Sequence, residues 1–252
     1  MKLSLIGSGK LGQQLYRKFL KHPSIELVQW MDRSATASTT QEDVELITTL
    51  ESLKEVDCYF LAVNDQSIEK LALGLPKNAL IVHTSGATGL NFSNSVSRSG
   101  VFYPLQSFSK NRMIEFLNLP ICIEASNEED LKFLEQLVVQ LHANPIKINT
   151  QQRKSLHLAA VLVNNFTNHL FAQAEQLCKK NELSFELLKP LIHETVNKLN
   201  DLSPKEAQTG PAIRGDQKTI NTHLEIIENP QLEKLYSLLT NTITNFDKNE
   251  KL

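Results

Sequence analysis

The sequence predicts an α/β protein, a doubly wound and mainly parallel sheet followed by an all-helical region. Three observations carry that prediction. Short apolar runs alternate with helical patterns through the first half of the chain. A glycine-rich turn joins the opening strand to the first helix. Beyond about residue 150 no strand pattern appears.

Residues 3–6 form the opening strand, and 11–20 carry apolar side chains at 11, 15, 16, 19 and 20, a helical spacing. Residues 25–31 make a second strand, and the Ser- and Thr-rich stretch 34–41 reads as loop. The run 58–63 is continuously apolar, as in a strand buried on both faces. Asp65 reads as the N-cap of the helix through Ile68 and Leu71. Further strands are expected at 79–82, 101–103, 121–123 and 145–148, with a helix over 128–141. Next comes one long helical pattern, 151–181, free of Gly and Pro, and then helices at 185–199, 219–227 and 231–246. The expected domains are therefore 1–150, α/β, and 151–252, all-helical. The last six residues are expected to fray.

The chain has 252 residues, 41% of them hydrophobic, which is enough to bury a core without disulfides or a structural metal. Lys and Arg number 26 against 28 Asp and Glu. No basic excess points to nucleic acid or to an anionic membrane surface. No apolar run approaches the roughly 18 residues needed to span a bilayer. The cysteines at 58, 122 and 178 are too scattered for a disulfide framework or a zinc site and read as buried thiols. Met1 leads straight into a strand pattern rather than a signal-peptide layout, so the reducing cytoplasm is the expected compartment.

Gly7, Ser8, Gly9, Lys10, Leu11 and Gly12 match G-x-G-x-x-G between a strand and a helix, the context in which the pattern is informative. Gly7 permits the tight turn, Gly9 lets backbone approach a diphosphate, and Gly12 lets helix and strand pack closely. The helix N-terminus offers its free amides to phosphate. Asp32 ends the second strand 20 residues beyond Gly12, where an acid bonds the ribose hydroxyls of NAD. Arg33 and Ser34 follow at once, and a guanidinium there suits the 2′-phosphate of NADP. The cofactor expectation is therefore NADP, or NAD. Val63 and Asn64 follow a buried strand at its carboxyl end and would flank the riboses.

With His83 to Gly86, Tyr103 to Phe108, Ser155 to His157, Asn164 to Phe166, and Thr209 to Asp216, these motifs span nearly the whole chain. The chain resembles the Rossmann-like oxidoreductases of the 6-phosphogluconate dehydrogenase and pyrroline-5-carboxylate reductase superfamily. It is similar in particular to the branch carrying a C-terminal helical domain of unknown function 2520. The resemblance implies NAD(P) binding and a dehydrogenase or reductase activity, with no substrate specified. It also implies a lysine three or four residues before an asparagine on the long helix, where this chain has Val161 and Ala160.

The site candidates follow from chemistry and position. Ser85 and the Gly86 amide suit a substrate carboxylate, although a plain turn explains both equally well. His157, an imidazole on the long helix, suits a general acid. Val161, Asn164 and Asn168 share its face at about 100° per residue. Arg214, in a glycine-bounded loop, suits a bidentate clamp on an anion. Asp216 caps the helix that follows, and Thr219 and His223 extend the polar set. Hydride transfer between nicotinamide and a small, anionic carbonyl or imine compound is the expected reaction, with a homodimer formed through the helical domain. A non-catalytic nucleotide sensor or scaffold and a deazaflavin-dependent NADP reductase are the alternatives.

Overall fold

The structure, a computed structural model, describes residues 1–93, 96–110 and 112–246. Residues 247–252, expected to fray, lie outside them. The first part runs β1 (Lys2–Ile6), α1 (Lys10–Leu20), β2 (Glu26–Met31), β3 (Glu45–Ile47), β4 (Cys58–Leu61), α2 (Asp65–Ala72), β5 (Leu80–His83) and β6 (Arg98–Pro104). It continues with β7 (Pro120–Ala125), α3 (Glu128–Gln140) and β8 (Asn144–Lys147). Among the described residues the strands form one eight-stranded sheet in the order β3-β2-β1-β4-β5-β6-β7-β8. All neighbours are parallel except β6 and β7, which are antiparallel. The expected doubly wound, mainly parallel sheet is what is observed.

Period-2 alternation divides the core between the two faces of the sheet. Leu3, Leu5, Cys58, Phe60, Leu80 and Val82 pack with α1 and α3 through Leu15, Phe19, Leu134 and Leu137. Ile6, Tyr59, Leu61 and Ile81 pack on the other side with Ile68 and Ala72 of α2. Both faces are covered, which is why β4 and β5 read as unbroken apolar runs. The chain leaves β1 for β2 on one side and reaches β4 on the other, so the order reverses at the β1–β4 edge. Ligands of such sheets lie outside the carboxyl ends of the strands there.

Some expectations need correction. β3 escaped notice because three residues carry no readable alternation. The long helix of 151–181 is α4 (Thr150–Ala160), a π-helical segment (Val161–Phe166) and α5 (Thr167–Lys180). The segment expected at 185–199 is a 3₁₀ turn (Phe185–Leu188), α6 (Lys189–Asn197) and a second 3₁₀ turn (Lys198–Asn200). The linker at 209–216 contains a helical turn, α7 (Pro211–Arg214). Pro211 sits at its start, and Gly210 and Gly215, at φ 109° and 67°, bracket it. Asn64, not Asp65, caps α2, its Oδ1 accepting from the Ser67 amide at 3.0 Å. The chain ends in α8 (Gln217–Ile226) and α9 (Pro230–Thr244).

Contacts divide the chain into two compact units, Met1–Asn165 and Phe166–Leu252. The first contains α4, for a reason found at Arg153 below. In the second, Ala212 and Ile220 are the buried hydrophobic residues among those described. Cys58 and Cys122 are buried and Cys178 half-buried, all three free. Among the described residues no helix is long and apolar enough to cross a membrane, and no cluster of His, Cys, Asp and Glu has metal-site geometry.

Candidate functional site

Two positions around the turn after β1 accept only glycine. A Cβ on Gly7, which has φ 113°, would lie 2.3 Å from the Ala62 carbonyl oxygen. One on Gly12 would lie 2.1 Å from the Gly7 carbonyl oxygen, so α1 is packed hard against the turn. Gly9 differs: a Cβ there would meet nothing within 4 Å. It caps α1 with no side-chain bond, leaving first-turn amides directed into open space. That space is a cavity of about 680 Å³ at the β1–β4 switch point. All the expected cofactor-binding residues line it except Gly12, which lies behind the turn as a packing residue. A cradle closed by glycines on one side and open at the helix N-terminus fits a dinucleotide diphosphate.

Asp32, at the rim, is engaged by its own neighbourhood. Its Oδ1 accepts from the Ser34 amide at 2.9 Å and the Ser34 hydroxyl at 2.7 Å. Burial pushes its carboxyl up, but these bonds and one with Ser8 outweigh it and hold the pKa below the ordinary value. Asn64 accepts from the Ser67 hydroxyl at 2.7 Å as well as from its amide, so its side chain serves the helix cap.

Thr84 also lines the cavity, and the turn that continues from it is pinned from below. His83 is buried. Desolvation, with the Arg153 charge added and the Gly89 carbonyl opposing, drives its pKa down to about 3. The ring is therefore neutral at physiological pH. Its Nδ1 accepts from the Ser85 amide at 3.2 Å, so Nε2 carries the hydrogen and donates to the Gly89 carbonyl at 3.2 Å. The Ser85 hydroxyl oxygen accepts from the amides of Ala87 and Thr88 at 3.1 and 2.9 Å. It caps its own turn and retains a hydrogen to donate.

Arg153 of α4, which the sequence reading did not select, is fully buried. Its Nη1 donates to the carbonyls of Ser85, Gly86 and Thr88 at 3.0, 3.2 and 2.6 Å. Its Nη2 donates to Glu124 Oε2 at 3.1 Å. Glu124 in turn accepts from the amide and hydroxyl of Thr150 at 2.8 Å. One guanidinium thus ties α4 to β7 and to the backbone of the 85–88 turn, and this ion pair roots α4 in the first unit. The signal in the sequence was spacing, since Arg153 stands four residues before His157 and shares its helix face.

That face presents His157 to Gly86. A Cβ on Gly86 would fall 2.6 Å from His157 Nδ1 and 2.9 Å from Tyr103 Cζ. The Tyr103 hydroxyl lies 3.1 Å from the same Nδ1. Burial raises the Tyr103 pKa, the Cys122 thiol adds to the rise and Arg153 opposes it, so the phenol stays protonated. Ser85, Gly86, Tyr103 and His157 therefore form one cluster in the first unit. Asn164 does not join it through a shared helix face. The wider i→i+5 turn of the π segment breaks the 100° register, and Asn164 and Asn165 are exposed there. Arg214, in the second unit, is exposed at the end of α7. Asp216 caps α8 as expected, bonding the amide and hydroxyl of Thr219 at 3.1 and 2.7 Å. His223 is turned to Tyr236, Nδ1 to hydroxyl 2.8 Å.

A family model described as a domain of unknown function (DUF2520) matches residues 119–243. A solved structure from Bacteroides fragilis, provisionally called an NADP oxidoreductase, is 38% identical, with 97% of this chain and 98% of that chain covered and a TM-score of 0.84. An imine reductase from Myxococcus stipitatus, solved with NADP⁺, is 15% identical over 98% and 94% of the two chains, with a TM-score of 0.66. A 1-pyrroline-5-carboxylate reductase from Streptococcus pyogenes is 13% identical over 97% and 98%, with a TM-score of 0.62. No curated protein sequence matches the chain.

Proposed function

This chain belongs to the family of Rossmann-like oxidoreductases that carry a C-terminal DUF2520 domain, and we propose that it reduces a small, anionic carbonyl or imine compound with NADPH or NADH. The observation that carries this reading is continuity. The glycine-cradled cavity reaches Thr84, and the residues following Thr84 build the Ser85–Gly86–Tyr103–His157 cluster. A bound nicotinamide supplies the hydride chemistry; the chain supplies position and protons. The amides of the Gly7–Gly9 turn and the start of α1 hold the diphosphate. Val63 and Asn64 flank the riboses. His157, its Nδ1 engaged by Tyr103, presents Nε2 to hold or release a proton. The free hydrogen of the Ser85 hydroxyl orients the substrate, with Asn164 a further polar contact. Arg214 is the proposed cation for the substrate's anionic group.

We also propose that the working form is a homodimer in the reducing cytoplasm. Support for the dimer is the state of the second unit, in which Leu187, Leu191 and Val196 stay 69%, 63% and 60% exposed. Helices this apolar need a second layer, and a second copy of the same chain supplies one.

The test is the disappearance of reduced-nicotinamide absorbance over a panel of 2-oxo acids, imines and aldehydes. Turnover of at least one class is expected. His157→Ala should abolish it while keeping nucleotide affinity. Tight nucleotide binding without oxidation by any candidate would establish the sensor instead, a reading that Val161 and Ala160 favour by standing where the superfamily's lysine is expected.

A further inference from the structure

The charges lining the switch-point cavity are Lys10, Arg33 and Lys70 against Asp32 alone. The whole chain carries −2, so this local cationic excess runs against the overall balance. Lys10 stands at the start of α1, beside the amides that face a diphosphate. Arg33 and Lys70 come from the other two walls, the segment after β2 and the helix after β4. Ser67 and Lys70, three apart on α2, both line the cavity. Neither Arg33 nor Lys70 has an acidic partner within ion-pair distance among the described residues, whereas Lys2, Lys18, Lys54 and Lys147 each do.

The acid at the rim already accepts two local bonds on one of its oxygens. Asp32 already takes the amide and hydroxyl of Ser34 at 2.9 and 2.7 Å. The Ser34 hydroxyl is committed to Asp32 by the second of these bonds. A phosphate on the ribose therefore meets one carboxylate and one committed hydroxyl, and Arg33 alone only balances Asp32. A second cation is needed for net attraction, and with Lys10 placed beside the diphosphate amides, Lys70 is the further one lining the cavity.

We propose that Lys70 acts with Arg33 to hold the 2′-phosphate of the adenosine ribose, so that this chain selects NADP(H) over NAD(H). The inference rests on the dinucleotide reading above and adds to it a specificity residue on α2. A 2′-phosphate brings close to two negative charges at neutral pH, and the two cations line the same cavity from two different elements.

Calorimetry with NADPH and with NADH on the full chain tests it, using the wild type, Lys70→Ala and Lys70→Arg. Lys70 is exposed on a helix, so both variants should fold. The wild type should bind NADPH more tightly than NADH. Lys70→Ala should weaken NADPH about five- to tenfold, the scale of one partly exposed charge-assisted contact, and leave NADH within about twofold. Lys70→Arg should restore the preference. Equal loss for both nucleotides, or no loss for either, overturns the assignment. A wild type that binds both equally, or prefers NADH, overturns it while leaving the dinucleotide reading standing. Folded protein that binds neither overturns both.

Discussion

In the first unit Leu3, Phe19, Phe60 and Leu137 have no exposed surface, whereas in the second Leu187, Leu191, Val196 and Leu238 are each about two-thirds exposed. The two halves of the chain are not similarly apolar segments that happened to pack differently. A sheet buries both faces once helices lie on each, and α1, α2 and α3 come from the same unit as the strands they cover. The helices of the second unit have no such layer within the unit, where only Ala212 and Ile220 are buried hydrophobics among the described residues. An apolar helix stripe must be covered by something. The comparison teaches that the first unit fills a core of its own, while the exposed apolar faces of the second are the ground on which the dimer is proposed.

The sharpest test of the first half of that statement is Arg153→Leu. The substitution is apolar but shorter, so it removes the guanidinium together with the packing at the end of the buried stem. It takes the guanidinium donor from the carbonyls of Ser85, Gly86 and Thr88 and leaves the Glu124 carboxylate with Thr150 but no cation. Removing one partner of a buried ion pair costs about 3–5 kcal/mol, read as a lower urea midpoint with an unchanged slope. A loss under about 1 kcal/mol would mean that the turn holds itself and that the first unit does not depend on the clasp.

Leu191→Asp addresses the second half. If a second copy covers α6, the wild-type Tm rises with protein concentration. The variant sediments as a monomer and loses about 2 kcal/mol of apolar burial per chain. A wild type that is monomeric at micromolar concentration with a concentration-independent Tm removes the dimer and leaves the exposed leucines without a partner.

Legibility in the sequence tracked burial. Strands with both faces covered, such as Cys58–Leu61, announced themselves as apolar runs, and the glycine turn was legible because sterics leave no other residue possible at Gly7 and Gly12. What was hidden was hidden for physical reasons. β3 is too short to alternate. The π segment has no Gly or Pro, because an extra residue per turn is set by packing rather than by propensity. Arg153 was not selected, since a sequence does not show that three carbonyls and a carboxylate will meet it. Ser85 and Asp32 were recognisable as polar residues at a site, but the partners they had already taken were not.

His83 distinguishes a satisfied first unit from one that is merely packed, through pH. Its pKa is about 3 when folded and roughly 6.5 when unfolded, so the unfolded chain binds the proton first. This contribution is whole above the unfolded value and is lost as pH falls from there towards the folded value, at up to about 1.4 kcal/mol per pH unit. His83→Gln keeps a donor for the Gly89 carbonyl and an acceptor for the Ser85 amide without titrating. Chemical denaturation across this window should show a flatter pH dependence for the variant. Parallel curves would mean that water reaches the ring and that the base of the turn is open.

Tyr103→Phe should have the smallest effect on stability and the most informative one on the site. Only the hydroxyl is lost, and the bond to His157 Nδ1 is worth about 1 kcal/mol. The Tyr103 phenol stays protonated because burial raises its pKa, and it is expected to donate to Nδ1, which would leave the hydrogen of the neutral imidazole on Nε2. Nitrogen-15 spectra of histidine-labelled protein at mildly alkaline pH should show His157 as the Nε2–H tautomer in the wild type. In the variant, with the donor gone, the two tautomers should mix as they do in free histidine. The same tautomer in both proteins would mean that Tyr103 packs against His157 without directing it. The proton that the imidazole offers would then be fixed by some other group.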